Sequence, residues 1–288
     1  MRVIDASVNL DGAFEETGFS LERWERYIDT QVPGAKTLCL EDAHRMLEAG
    51  YTWEGDFLPV LNAVRDRRTE REAVTAAFHH VADTLDDRIR AVFGRSVDTD
   101  LVLYLGLCNG AGWVTELNGR ITVLLGLEKI LALEWGNDKM LSALIFHELG
   151  HVYQGQYGVL QREDGTGEEH LLWQLFTEGI AMVFEQQIAG GPEYFHQDRN
   201  GWKTWCDDNI EDIKREFRAD LATATLKTQR WFGDWVQYRG QPDVGYYLGA
   251  RFVQNILRTE SFDGILAWGH GEVREAFERF CGTRKEKA

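Results

Sequence analysis

Two stretches of the chain are apolar around most of a helical turn. Over 139–154 the residues Leu141, Leu144, Ile145, Leu149 and Val152 leave little polar face, the pattern of a helix buried on nearly all sides. Asn137-Asp138 supply an N-cap, and glycines at 155 and 158 close the run. A second such helix covers 171–189 and stops at Gly190-Gly191-Pro192. Ahead of both, the short apolar runs 101–107 and 119–126 read as buried strands. Between them, Asn109-Gly110 is a turn signal and Gly112-Trp113-Val114 an exposed edge. Amphipathic spacing predicts further helices over 21–30, 40–49, 57–93 with a break, 127–133, 209–232, 244–258 and 274–280. The expected fold is α+β: mainly helical, with a small mixed or antiparallel sheet before the helix at 139–154.

Composition narrows this further. A chain of 288 residues with 44% hydrophobic content can bury a full core. Its four prolines and lack of low-complexity runs mark no linker. The expected organisation is a helical region over 1–95 that packs on or caps a core over 96–288, or else one continuous domain. The charge of −16, from 31 basic and 47 acidic side chains, would repel nucleic acid and suits a neutral or basic peptide. The N-terminus lacks the apolar centre of a signal peptide, and no run is apolar enough to span a bilayer. The expectation is therefore a cytoplasmic protein with no membrane partner. Cys39, Cys108, Cys206 and Cys281 are isolated, so neither a zinc ribbon nor a dense disulfide framework is indicated. No G-x-S-x-G elbow points to a serine nucleophile.

Chemistry concentrates in His147-Glu148-Leu149-Gly150-His151. On a helix, positions i and i+4 share a face, so both imidazoles can offer a nitrogen to one metal ion. Glu148 points about a quarter-turn away, where it can take a proton from a water at the metal without filling a coordination position. In a buried helix, two histidines and a glutamate without a metal would each need costly polar partners.

A catalytic zinc site uses three protein ligands, and Glu178 is the third candidate: a carboxylate in the middle of an otherwise apolar helix. The small residues Gly179 and Ala181 beside it would allow a close approach to the histidine helix. Glu168, Glu169 and His170 compete, although charges there also suit the solvated first turn of a helix.

Taken together, these residues resemble the gluzincin metallopeptidases. The match is His147-Glu-Leu-Gly-His151 followed, after 26 intervening residues, by Thr177-Glu178-Gly-Ile-Ala. Gly245-Tyr-Tyr-Leu-Gly249-Ala-Arg-Phe-Val is similar to a glycine-tyrosine helix of the YjaZ-like zinc proteases of bacteria. The resemblance covers roughly 100–260. It implies one zinc ion per chain on His147, His151 and Glu178, with Glu148 as general base. It further implies a tyrosine, Tyr246 or else Tyr247, as donor to the oxyanion, with Arg251 another candidate. An edge strand at Gly112, Trp113 and Val114 would hold the substrate backbone. One departure is Met182, where many gluzincins carry an acidic residue that orients a ligand histidine; Glu185 or backbone carbonyls would take that role.

The expected activity is zinc-dependent hydrolysis of a peptide or protein. The alternatives are an amidase or esterase acting on a non-peptide carbonyl, and a binding protein that keeps the fold with little turnover.

Overall fold

The computed structural model describes residues 1–162, 165, 167–225 and 228–282. It is a mainly helical α+β structure with one mixed four-stranded sheet and a separate two-stranded one. Its contacts divide into two compact units, 1–148 and 149–288, and the division falls inside a continuous helix, between Glu148 and Leu149.

The first unit contains both sheets. β1 (Arg2–Asp5) precedes the short pair β2 (Phe14–Glu15) and β3 (Gly18–Phe19). α1 (Leu21–Gln31), α2 (Ala35–Glu48), α3 (Leu58–Asp66), α4 (Arg68–Ala82) and α5 (Leu85–Phe93) follow. Then come β4 (Asp100–Tyr104), β5 (Gly112–Leu117), β6 (Arg120–Gly126) and α6 (Leu127–Ala132). Strand order is β1-β4-β6-β5: β1, β4 and β6 run parallel, and β5 is antiparallel to β6 at one edge.

Three features differ from the sequence expectation. Arg2–Asp5, in the region expected to be helical, form a strand that pairs residue by residue with Asp100–Leu103. Asp100, 3% exposed, further ties the two ends together by accepting from both Arg2 and Arg120. The region expected over 57–93 is three helices, separated at Arg67 and at Asp83-Thr84. The hairpin turn before β6 is Asn118-Gly119, with φ of 52° and 76°, the left-handed pair that a two-residue type I′ turn demands and that Asn-Gly supplies. The expected turn at Asn109-Gly110 instead lies in the longer loop between β4 and β5.

The second unit begins with the last half of α7 (Asp138–Tyr157) and continues with α8 (Gly167–Ala189). α9 (Trp202–Asp208), α10 (Ile210–Asp220), α11 (Val244–Ile256), α12 (Phe262–Ile265) and α13 (His270–Phe280) complete it. α8 and α11 touch through glycines: a Cβ at Gly179 would lie 2.3 Å from the Gly249 carbonyl oxygen, and one at Gly249 would lie 2.7 Å from that of Leu175. The backbones pack where any side chain would intrude. The helix expected over 209–232 ends at Asp220; residues 226–227 lie outside those described. Trp231 then folds back, its indole N–H donating to Asp220 at 3.0 Å, and stacks on Tyr238. Trp231, Trp202 and Trp173 are 0%, 4% and 6% exposed, so these tryptophans serve as core. Among the described residues, no helix is long and apolar enough to cross a membrane.

Candidate metal centre

α7 starts where its sequence says it should. The Asn137 side chain accepts from the Met140 N–H at 3.1 Å, an N-cap bond, and no proline interrupts the twenty residues that follow. Leu141, Ala143, Ile145, Phe146 and Leu149 are at most 0% exposed, and His147 and Glu148 only 4% and 6%. The two polar side chains therefore sit inside an apolar helix.

α8 brings the third group. A Cβ on Gly150 would come within 2.8 Å of the Ala181 Cα, so Gly150, inside the H-E-x-x-H motif, and Ala181, three residues after Glu178, allow the close crossing. Gly179 serves the α11 contact instead. Across this crossing, Nε2 of His151 and Oε2 of Glu178 stand 3.3 Å apart. His147, His151 and Glu178 each offer one donor atom, all within 4.8 Å of one another, and no other such trio exists among the described residues.

The spacing bears on what the trio can hold. A histidine hydrogen-bonded to a carboxylate sits at about 2.7–2.9 Å. Donors bound to one tetrahedral zinc at about 2.0–2.1 Å lie roughly 3.3 Å apart, the separation of His151 and Glu178. Two imidazoles and one carboxylate are also a donor set of catalytic zinc sites. The residues fit the ion.

The competing cluster is arranged differently. Glu168 lies in the first turn of α8 and pairs with Arg274 at 3.4 Å, and the His170 ring lies beside Gly165. Glu185 is completely buried, with both oxygens 2.9 Å from Nδ1 of His196, itself 3% exposed. The carboxylate proposed to orient a ligand histidine thus serves a different one, two turns along α8 from Glu178. The buried Glu185–His196 pair was not foreseen, since neither residue stands in a recognisable spacing.

Glu148 meets the sheet. A Cβ at Gly112, the first residue of β5, would lie 2.7 Å from both Cγ and Oε1 of Glu148; only glycine leaves the carboxylate room. Side chains alternate along a strand, so Trp113 faces the other way. Its indole N–H donates to the buried Tyr104 hydroxyl at 3.0 Å. Of the three expected edge residues, the structure brings Gly112 to Glu148 and turns the Trp113 side chain to the opposite face of the sheet.

The same register sorts the backbone groups. The Gly126 N–H donates to the Ala111 carbonyl at 3.0 Å, and antiparallel pairs alternate. Trp113, Thr115 and Leu117 therefore face β6, while the N–H and C=O of Gly112, Val114 and Glu116 point away from it. No strand of the described residues adds on that side.

The two tyrosines of α11 part company. The Tyr247 hydroxyl donates to Asp207 at 2.6 Å, and burial followed by this bond raises its pKa, which commits it to a network with Arg251. Arg251 is also held by Glu193, at 2.7 and 2.8 Å. Tyr246 is half-buried one turn before Gly249, edge-on to Phe232.

Comparison of the chain with models of known families, with curated proteins and with solved structures finds no match.

Proposed function

We propose that the protein is a zinc-dependent hydrolase that cleaves peptide bonds. The observation that carries this reading is the convergence of His147, His151 and Glu178 on the helix whose Glu148 abuts a sheet edge at Gly112. When bound, zinc would acidify a water and polarise the carbonyl under attack.

The chain's own groups supply the rest. Glu148 takes a proton from the attacking water as its oxygen bonds to the carbonyl carbon, then hands that proton to the amine as the C–N bond breaks. Burial of Glu148 at 6% exposure keeps bulk water from competing for the transfer. The outward N–H and C=O groups of Gly112 and Val114 align a peptide as an added strand. The Tyr247 hydroxyl is engaged by Asp207; Tyr246 is the oxyanion donor that the gluzincin resemblance implies.

A backbone-reading edge beside the base favours a peptide over an amide or ester without a main chain. Elemental analysis of untagged protein purified without chelator, followed by a peptide-library screen with Glu148→Gln as control, tests the reading. One zinc per chain and cleavage abolished by the substitution support it. Protein that neither carries nor takes up zinc overturns it.

A further inference from the structure

Two strongly buried carboxylates of the first unit have no task in the proposed chemistry: Asp100, which is paired with Arg2 and Arg120, and Glu128, which has no arginine partner. It opens α6 just after β6 and is 1% exposed. A carboxylate so placed must be compensated by donors, and the donors are backbone. Gly106 N–H gives to Oε2 at 2.9 Å and Cys108 N–H to Oε1 at 3.0 Å. Both lie in loop 105–111, which joins β4 to the edge strand β5.

That loop is held tightly around the carboxylate. Cys108 has φ of 59°, in the left-handed region that costs a residue with a Cβ about 1 kcal/mol or more; its N–H bond to Glu128 holds it there. A Cβ at Gly106 would lie 2.6 Å from Oε1 of Glu128, and one at Gly126 would lie 2.4 Å from the Gly110 carbonyl oxygen. Asn109 completes the path, accepting from Leu107 N–H and donating to the Cys39 carbonyl and to Asp42. The next residues are Ala111, bonded to Gly126, and Gly112, against Glu148.

We propose that Glu128 is a positioning residue for the substrate edge: its carboxylate fixes loop 105–111, and through it the place at which Gly112 and Val114 present their outward backbone groups beside Glu148. The role in substrate binding rests on the peptidase reading; the dependence of the loop on the carboxylate does not.

The hold is also titratable. With both oxygens accepting from N–H groups, adding a proton to either one turns an acceptor towards a donor and loses a bond. Burial pushes the Glu128 carboxyl up to about 7, against the downward pull of the Gly106, Glu128 and Cys108 N–H groups and of Lys129. The hydroxyl and thiol groups around it carry no charge through this range. Burial raises the Tyr104 and Tyr27 hydroxyls, and pushes the Cys39 thiol up to about 12. Asp5 and Asp42 are the further carboxylates acting on these groups. Glu148, against Gly112 in the same segment, also titrates, so the part of any loosening that Glu128→Gln abolishes is the part that reports Glu128.

Hydrogen exchange by mass spectrometry on the zinc-loaded full chain, over peptides spanning 104–116 and corrected for intrinsic exchange, tests this between pH 5.5 and 8.5. The wild type is expected to exchange about tenfold faster at the acid end, the worth of one buried hydrogen bond. Glu128→Gln, which can accept only one of the two N–H groups, should be fast throughout and independent of pH. It should keep its zinc and raise KM for a peptide about tenfold with little change in kcat. Exchange over 104–116 that is no faster in folded Glu128→Gln than in the wild type at pH 8.5 overturns the proposal, and wild-type exchange that is flat through pH 7 overturns its titration. Exchange that responds while KM does not overturns the substrate role. A chain that proves to cleave no peptide fails the functional reading alone, because the exchange series still decides what Glu128 does to the loop.

Discussion

Gly112 and Glu148 occupy complementary space: the Cβ that any other residue would add at 112 falls 2.7 Å from the carboxylate oxygen of 148. The edge strand and the proposed general base are thereby held in register by an absent side chain. Gly112→Ala should displace Glu148 while leaving the three metal donors untouched. A misplaced base costs on the order of 100-fold in kcat, and overpacking about 1–3 kcal/mol of stability. Zinc content near one per chain with kcat reduced that far is the expected pair of measurements; unchanged kcat would separate the strand from the chemistry.

Glu148→Gln removes the proton carrier and keeps the shape. Loss of a general base is worth about 100- to 10,000-fold, so kcat should fall within that range while zinc content and melting temperature hold. A binding protein that merely keeps this fold would show no change in its partner interaction.

Glu178 and Glu168 lie on the same helix but differ in exposure, 16% against 46% of the side chain, and in partners, so they make a matched pair. Glu178→Gln should weaken zinc binding by about tenfold or more, read by competition with a chromogenic chelator. Glu168→Gln, which breaks only a half-exposed pair with Arg274, should leave it unaltered. Added zinc should raise the melting temperature of the wild type and not that of His147→Ala, since only a ligand that binds the folded state stabilises it.

Gly179→Ala would set a methyl group 2.3 Å from the Gly249 carbonyl. The nearest atoms are the Gly249 backbone, which cannot swing aside, and then a methyl of Val253, and a loss of about 3 kcal/mol is expected. Gly191→Ala, where nothing lies within 4 Å, meets only the strain of its φ of 90° and should cost less. Thermal unfolding of the two variants gives the comparison.

The network around Arg251 sets acid sensitivity. Its hydrogen bond, ahead of Lys203's, pulls Glu193 down to about 2. Asp207 also falls to about 2: burial alone would raise it, but bonds from Lys203, Tyr247 and Arg251 outweigh that. Folded-state values below the unfolded ones mean stability that is present above about pH 4.5 and is lost as pH falls towards 2. Arg251→Leu should lower the urea midpoint at pH 7 more than at pH 3. An equal drop at both would assign the effect to lost packing.

Much of this was legible along the chain because it depends on local spacing. His147, Glu148 and His151 fall on one helix by arithmetic, and a carboxylate inside the apolar run of α8 singled out Glu178, which lies beside the two histidines. What escaped was tertiary. β1 reads as an unremarkable N-terminus because its partner Asp100–Tyr104 lies nearly a hundred residues away. The indole of Trp113 looked like an edge contact because strand polarity cannot be assigned until register is known. The end of α10 at Asp220 follows from Trp231 and Arg230 returning to bond that aspartate, an interaction without a helical period. Glu128 gave no signal at all, since its partners are backbone N–H groups that no sequence pattern records.

The pairing of β1 with β4 carries a liability as well. Every residue of β4 is buried, and Leu101-Val102-Leu103 is an apolar run without charge. Were the first few residues clipped or displaced by a fused tag, that strand would become an open, sticky border able to recruit another copy of itself. The short N-terminal strand is thus a guard against aggregation, and its loss would show first as turbidity, before any change in catalysis.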